Sequence, residues 1–196
     1  PLTVVDNGKQ SQAIESAYLQ DEWQALRTVT INYGVRFDHY SAYSSGSQVS
    51  PRVNAVWRIT GVTTVHAGYS RYFTPPPFEL IGSETFAKFA GTTALPPGSN
   101  TEDTPPIAER ADYYDIGVEH KLLHESLTLG VDAYGKTARH LIDEGQFGAP
   151  IILTPFNYRY GRIGGVELTG DYAIRRCSAY GNLAFQSALG NFGDSS

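Results

Sequence analysis

The sequence predicts an all-β chain of about eight antiparallel strands that forms a segment of a transmembrane β-barrel. Apolar and polar residues alternate at every step in segments of about ten residues, which is the period of a strand and not of a helix. Short connections alternate with long ones, as in barrels with tight turns at one rim and long loops at the other. None of the apolar stretches approaches the roughly 18 residues that a membrane-spanning helix needs.

The clearest strand runs over residues 29–37. Val29, Ile31 and Val35 lie on one of its faces, whereas Asn32 and Arg36 lie on the other. The other segments follow the same rule with about two to four residues of uncertainty at each boundary. In order, the predicted strands are residues 17–25, 29–37, 52–58, 63–73, 112–120, 127–136, 162–172 and 179–187.

The connections between these strands fall into two classes. Those after the first, third, fifth and seventh strands are short and predict hairpins at one rim. They run through residues 26–28, 59–62, 121–126 and 173–178. The other three are predicted to be long loops at the opposite rim, at residues 38–51, 74–111 and 137–161. Proline pairs and triplets exclude a central strand from the longest of them.

The strand length fits a bilayer, because ten residues at a tilt near 45° span about 24 Å, close to the apolar band of an outer-membrane barrel. Large aromatic residues lie at both ends of the apolar faces and smaller ones lie between them, as expected of two interfacial girdles. Those near the short turns are Trp23, Trp57 and Tyr172, and those near the long loops are Phe37, Phe73 and Tyr114. The charged residues Asp21 and Arg71 interrupt these faces, and a bulge near Asp21 is one explanation.

Composition excludes several classes of protein. The net charge of -5 and the pI near 5.5 come without a basic cluster, so a nucleic-acid partner is not predicted. Cys177 is the single cysteine, which leaves no intrachain disulfide and no cysteine-based metal site. The chain begins at Pro1 and contains no methionine, so we expect it to be a piece of a longer protein.

Several segments, in their order and spacing, resemble the barrel of TonB-dependent outer-membrane receptors. The segments are Ser16 to Trp23, Val29 to Tyr40, Ser50 to Val53, Gly68 to Pro75 with Phe78 to Leu80, Glu109 to Glu119, and Gly164 to Leu168. The resemblance covers almost the entire chain. It implies a barrel of about 22 strands around an N-terminal plug. Because the chain has neither a plug nor a terminal aromatic residue, residues 1–196 are interpreted as an internal, partial barrel domain, whose sheet is expected to be open with unpaired first and last strands.

The same resemblance implies a function and a location. Such receptors mediate active uptake of a scarce solute, such as a siderophore, a cobalamin or an oligosaccharide. The implied partners are outer-membrane lipid, a small solute, and the TonB complex, which would act through the missing plug. The implied location is the outer membrane of a Gram-negative-type bacterium.

The candidate ligand-binding residues are aromatic side chains and one arginine in the long loops, since stacking and bidentate hydrogen bonds suit sugars and anionic chelates. They are Phe78, Phe86, Phe89, Phe147, Phe156, Tyr158, Arg159 and Tyr160. No Ser, His and acid combination stands out as a catalytic group, so no enzyme is predicted. We also predict no cofactor and no bound metal.

Three alternatives stay open at this point. The first is a passive porin or a small complete outer-membrane barrel, because eight strands can close into a ring. The second is a soluble carbohydrate-binding β-sandwich or barrel, which would bury the apolar faces in a dry interior. The third is an outer-membrane hydrolase, which would need a nucleophile or base in a loop.

Overall fold

The computed structural model describes residues 11–42, 44–77, 106–147 and 152–191. In this part of the chain eight strands form one sheet. The strands are β1 (Ala13–Leu26), β2 (Val29–Ser41), β3 (Ser45–Arg58), β4 (Thr63–Thr74), β5 (Glu109–Leu122), β6 (Leu127–Phe147), β7 (Ile152–Ile174) and β8 (Cys177–Asn191). All eight predicted strands are confirmed, and each is longer than predicted.

Each strand pairs antiparallel with its neighbours in chain order, from β1 to β8. Within the described residues β1 and β8 do not pair with each other, so the sheet is open, as predicted for a fragment. The alternative of a complete eight-stranded ring is therefore wrong for this part of the chain. No helix in the described ranges is long and apolar enough to cross a membrane.

The register brings the apolar faces of all eight strands to one side of the sheet. Val29 pairs with Trp57, which pairs with Val65, which in turn pairs with Val118. Because side chains directly opposite each other in an antiparallel pair share a face, one apolar surface runs across the whole sheet. Its residues include Leu19, Trp23, Ile31, Val35, Phe37, Val53, Ala55, Ala67, Tyr114, Ile116, Leu129, Val131, Ala133, Val166, Leu168 and Leu183.

This apolar surface has no covering layer in the described part of the chain. Val35, at the centre of β2, is 41% exposed, and Val131 in β6 is 43% exposed. A soluble β-sandwich would bury such side chains under a second sheet, so that alternative is wrong here. An uncovered apolar face of this size is what a lipid-facing barrel wall requires, and we call it the lipid face.

Two of the three connections predicted to be long loops are mostly strand. β2 continues to Ser41 and β3 begins at Ser45, so only residues 42–44 remain of the predicted loop 38–51. β6 and β7 continue past the predicted loop boundaries at residues 137 and 161, which leaves 148–151 between them. Beyond the bilayer both faces of a strand meet polar surroundings, so the apolar–polar contrast that identifies a strand is lost.

The β3–β4 ladder ends before the strands do. Its last pair towards the long-loop end is Arg52 with Ser70, while β3 continues alongside β2 alone. Pro51 is tolerated in β3 because no β4 partner needs its missing N–H. The Gln48 side chain closes the gap, since its Nε2 donates to the Tyr72 carbonyl at 2.9 Å and the residue is 5% exposed.

Asp21 and Arg71, the two charged residues that interrupt the apolar faces, both lie on the lipid face. Asp21 pairs in register with Tyr33, and the only irregularity of the β1–β2 ladder lies further on, between Trp23 and Leu26. The proposed bulge therefore does not move Asp21, whose Oδ2 lies 3.4 Å from the Tyr33 hydroxyl. Arg71 faces Asp112 across the β4–β5 pair, with Nε 3.9 Å from Oδ1, so the two charges compensate each other.

The two faces predict opposite responses to an added charge. Val53→Arg in the complete protein should lower the free energy of unfolding by about 2 to 4 kcal/mol, because it places a guanidinium in hydrocarbon. Asn54→Arg is the matched control on the opposite face and should cost far less. A denaturant titration in lipid vesicles, followed by tryptophan fluorescence, measures both. Equal losses for the two variants would contradict the assignment of the lipid face.

Candidate functional site

The face opposite the lipid face is polar, and in a barrel it lines the interior, so we call it the luminal face. Arg36, Asp38 and Ser16 form one cluster on it. Arg36 Nε donates to Asp38 at 2.8 and 3.0 Å, and Ser16 Oγ donates to Asp38 Oδ1 at 2.6 Å. The Arg36 guanidinium also donates to Ser16 Oγ at 3.1 Å. These contacts join β1 to β2 on the luminal face.

Three tyrosines on neighbouring strands form an aromatic row on the luminal face. The rings of Tyr72 and Tyr113 meet edge to face at 6.4 Å, and those of Tyr113 and Tyr134 stack at 6.3 Å. Tyr134 extends across Gly165, where a Cβ would lie 2.8 Å from its hydroxyl. Glycine at that position leaves the space that the ring occupies. The segment around Gly165 is thus a strand in which a side chain approaches the backbone closely.

A histidine and two carboxylates lie beside this row. His66 Nε2 is 3.1 Å from Asp132 Oδ1 and 3.6 Å from Asp115 Oδ2. The three side chains occupy the space above two glycines, because a Cβ on Gly117 would lie 2.0 Å from Asp132 Oδ1 and one on Gly68 would lie 2.4 Å from Asp115 Oδ1. No group of three potential ligands within the described residues is arranged to hold a metal ion.

The roots of the longest loop pack against the outer end of the sheet. Tyr40 is 1% exposed, and its ring meets Phe73 at 5.9 Å. Pro76 is fully buried, and the Pro106 carbonyl accepts a hydrogen bond from Ser44 Oγ at 2.9 Å. Both described ends of this loop are therefore fixed to the barrel wall.

Asn157 anchors the segment that leads from the longest loop into β5. Its side-chain amide exchanges two hydrogen bonds with the backbone of Ile107, at 2.9 and 3.0 Å, as a neighbouring strand would. The same Nδ2 donates to the His140 carbonyl at 2.8 Å. Asn157 thereby joins β6, β7 and the segment that leads into β5. Sequence reasoning missed this residue, because an asparagine in a segment without period-two alternation carries no signal.

The outer extensions of β6 and β7 contain a reversal of faces at His140. His140 has a φ of 56°, in the left-handed region that is uncommon for residues other than glycine. Beyond it, Leu141 lies against the luminal Gly161, where a Cβ would be 2.6 Å from Leu141 Cδ1. Leu141 pairs with Tyr158, so Tyr158 also turns to the luminal side. A backbone conformation of this kind persists only where the surrounding structure maintains it, and such conformations are concentrated at functional sites.

His140 and Tyr158, both in this outer region, have shifted pKa values. Burial, followed by the charges of Arg110 and Arg139, lowers the pKa of His140 below its ordinary value of 6.5. The Nδ1 atom of His140 is buried without a hydrogen-bond partner. A hydrogen bond to Asp143 is the main cause that raises the pKa of the Tyr158 phenol. At neutral pH this region therefore holds a neutral imidazole and a neutral phenol.

The structure separates the predicted ligand-binding residues. Tyr158 borders a shallow apolar cleft with Ala138, Leu141 and Ile163, and Lys136 and Arg162 lie at its edge. Arg159 is exposed next to Tyr158. Tyr160 lies on the lipid-face side, where the Arg162 guanidinium stacks on its ring at 5.2 Å.

The structure does not describe the side chains of the remaining five predicted ligand-binding residues. Phe147 and Phe156 belong to β6 and β7, but their side chains are not among those described. Phe78, Phe86 and Phe89 lie outside the described residues.

Residues 2–195 match the family model described as "TonB dependent receptor-like, beta-barrel". Two curated relatives match shorter stretches. The iron-regulated outer membrane virulence protein of Vibrio cholerae is 36% identical over 61 residues, which is 31% of this chain and 9% of that protein. The TonB-dependent transporter Oar of Myxococcus xanthus is 30% identical over 83 residues, which is 37% of this chain and 8% of that protein.

Solved structures share the fold. The siderophore receptor PirA from Pseudomonas aeruginosa matches with a TM-score of 0.70 at 20% identity, over 90% of this chain and 32% of that one. The copper transporter OprC matches with a TM-score of 0.69 at 16% identity, over 91% of this chain and 29% of that one. The FrpB iron transporter from Neisseria meningitidis gives 0.68 at 15% identity, over 94% and 27%. The chain thus spans about a third or less of the solved chains it matches.

Because the space above Gly117 is occupied, even a methyl group there is predicted to destabilise the fold. Gly117→Ala should lower the free energy of unfolding by about 1 to 3 kcal/mol, because Asp132 and His66 must both move to admit a methyl group. Gly135→Ala on the adjacent β6 is the control, since a Cβ there meets nothing within 4 Å. Thermal unfolding of the complete receptor in detergent compares the two. A larger loss for Gly135→Ala would contradict this geometry.

The lowered pKa of His140 predicts a pH-dependent outer wall. A group whose folded pKa lies below its unfolded value resists protonation in the fold, so stability falls as the pH drops below about 6.5. Hydrogen exchange of Leu141–Asp143 and Asn157–Gly161, corrected for the intrinsic rate, should accelerate between pH 7.5 and 5.5. In His140→Asn, which tolerates the left-handed backbone and does not titrate, this acceleration should vanish. If the acceleration of exchange persists in His140→Asn, His140 is not its cause.

Proposed function

The chain belongs to the TonB-dependent receptor β-barrel family, and from that premise we propose that it is part of a receptor for the active uptake of a scarce solute. The barrels of this family lie in the outer membrane of Gram-negative bacteria, and this chain is part of such a barrel. Its members are receptors and transporters, which agrees with the expectation that the chain is not an enzyme. Residues 1–196 are proposed to be one internal part of the barrel domain.

The observation that carries the proposal is the outward continuation of β6 and β7 well beyond the bilayer. From Leu127 to Asp143 is 143 − 127 = 16 residues along β6. At a rise of about 3.3 Å and a tilt near 45° this is roughly 37 Å, compared with an apolar band of about 25 Å. The pinned loop roots and the face reversal at His140 would present Tyr158 and Arg159 to solutes that approach from outside.

We propose an iron chelate as the solute. Arginine donates bidentate hydrogen bonds to anionic oxygens, and aromatic rings stack on the planar groups of many chelators. Several proteins with the same fold are named as siderophore or iron receptors. A cobalamin or an oligosaccharide is the next candidate, because the same aromatic residues would stack on those ligands.

The binding residues follow from this assignment. Tyr158 and Arg159 would contact the solute at the wall. Phe78, Phe86, Phe89, Phe147 and Phe156 are proposed to contribute from the loops. Tyr160 was predicted to belong to this group, but its position on the lipid-face side suits contact with the membrane better.

The proposed partners are outer-membrane lipid on the lipid face, a plug domain in the lumen and the TonB complex that acts on the plug. Active uptake requires all of them, since the outer membrane has no ATP supply. The polar luminal face supports the proposal, because its ion pairs and tyrosines offer hydrogen bonds to a polar occupant. A passive porin is the remaining alternative, and energy dependence separates it from a receptor.

Uptake by whole cells that produce the complete receptor tests the proposal. Tyr158→Ala with Arg159→Ala should raise the half-saturating concentration of the labelled iron chelate by about tenfold or more, because a lost charged hydrogen bond is worth roughly 1.5 to 3 kcal/mol. Arg176→Ala at the opposite rim is the control. Removing the TonB complex should abolish uptake in every strain. Uptake that survives this removal would identify a passive channel instead.

A further inference from the structure

Three arginines lie together on the lipid-face side of the sheet at the end of β5, β6 and β7 away from the short turns. Arg110 and Arg139 are direct partners across the β5–β6 pair, and Arg139 faces Tyr160 across the β6–β7 pair. Arg162 follows Tyr160 by two residues on the same face, so it is the diagonal neighbour of Arg139. Direct neighbours have Cβ atoms about 5 Å apart and diagonal ones about 7 to 8 Å apart. We call Arg110, Arg139 and Arg162 the arginine patch.

The arginine patch lies at the depth of the lipid headgroups. Tyr172, in the aromatic girdle near the short turns, is 172 − 162 = 10 residues from Arg162 along β7. Ten residues at a tilt near 45° cover about 23 Å, close to the full apolar band of about 25 Å. Arg139 is 139 − 127 = 12 residues from Leu127, the partner of Tyr172, so it lies about 5 Å further out. The patch therefore crosses the outer edge of the hydrocarbon.

The charge of the arginine patch is not neutralised by the described residues. None of the three forms an ion pair with a described carboxylate. The nearest acids are engaged elsewhere: Asp112 by Arg71 and by the Tyr69 hydroxyl at 2.7 Å, and Glu109 by Lys136 at 2.9 Å. Like charges directly opposite in a sheet are unfavourable. An anion bound between them would relieve this repulsion.

Aromatic rings hold two of the guanidinium groups in place. Arg110 lies over the Phe73 ring at 5.6 Å and donates to the Ser47 carbonyl at 3.2 Å. Arg162 lies over the Tyr160 ring at 5.2 Å and donates to its hydroxyl. Side chains that are already positioned lose less conformational entropy when they bind a ligand. Each guanidinium has five N–H donors, so most of them are left for an anion.

We propose that the arginine patch binds the phosphate of an anionic lipid in the outer leaflet. Guanidinium groups bind phosphate with paired, charge-assisted hydrogen bonds. The face and the depth select a membrane lipid over a free solute, because the patch points away from the lumen and lies where headgroups are. Basic residues at a membrane surface recognise anionic lipids in this way. Arg162 also lies at the edge of the cleft that Tyr158 borders, and the patch as a whole would hold the receptor at a fixed depth.

Native mass spectrometry of the complete receptor in a neutral detergent tests the proposal. The probe is a synthetic diphosphorylated glycolipid, and its dephosphorylated form and inorganic phosphate serve as comparisons. The R110Q/R139Q/R162Q receptor should bind the phosphorylated lipid on the order of a hundredfold more weakly than the unchanged receptor, since each basic residue contributes about a factor of five to ten. The matched control is R27Q/R175Q/R176Q, which removes three exposed arginines at the short turns.

A second variant separates charge from folding. R110K/R139K/R162K keeps the positive charges but loses the paired hydrogen bonds, so its binding should fall between that of the unchanged receptor and that of the glutamine variant, whereas a purely structural role would make it fail like the glutamine variant. Three outcomes would overturn the proposal: equal binding of the dephosphorylated lipid, equal loss in the short-turn control, or displacement of the lipid by millimolar inorganic phosphate. The last outcome would identify a site for free phosphate.

Discussion

The structure depends on one constraint: inside a bilayer every backbone N–H and C=O group must find a partner within the protein. The sheet meets it with continuous antiparallel ladders from β1 to β8. Pairing in register then fixes which side chains share a face, because successive residues point to opposite sides. The lipid face and the luminal face are therefore consequences of backbone pairing combined with a sequence of period two.

The two rims differ because the constraint applies only within hydrocarbon. At one rim the hairpins close immediately beyond the girdle of Trp23, Trp57 and Tyr172. At the other the strands continue into water, where ladders are free to end and side chains complete the pairing instead. Gln48 bridges β3 to β4 and Asn157 bridges β7 to the start of the β5 segment, each through hydrogen bonds to backbone groups. Such bridges allow the outer rim to be shaped by individual residues.

The luminal face combines glycines with large polar side chains. Gly68, Gly117 and Gly165 leave space that carboxylates, an imidazole and a tyrosine ring occupy. The result is a luminal surface whose side chains are held by one another. The lipid-face side is simpler: Asp21 lies beside Tyr33, whereas Arg71, Asp112 and the arginine patch lie towards the long-loop end. Arg71 is paired with Asp112, whereas no carboxylate in the described part of the chain forms an ion pair with the arginine patch.

The sequence alone determined the class of fold, the number of strands, the two faces and the girdles, because a membrane wall requires contrast between neighbouring residues and that contrast is visible along the chain. It also determined the family, through motifs spread over almost the whole chain. Only the tertiary structure decided the strand ends beyond the bilayer, the face reversal at His140 and the split of Tyr158 from Tyr160. Where both faces of a strand meet water, its residues carry no alternation, and register between neighbouring strands decides where each side chain lies.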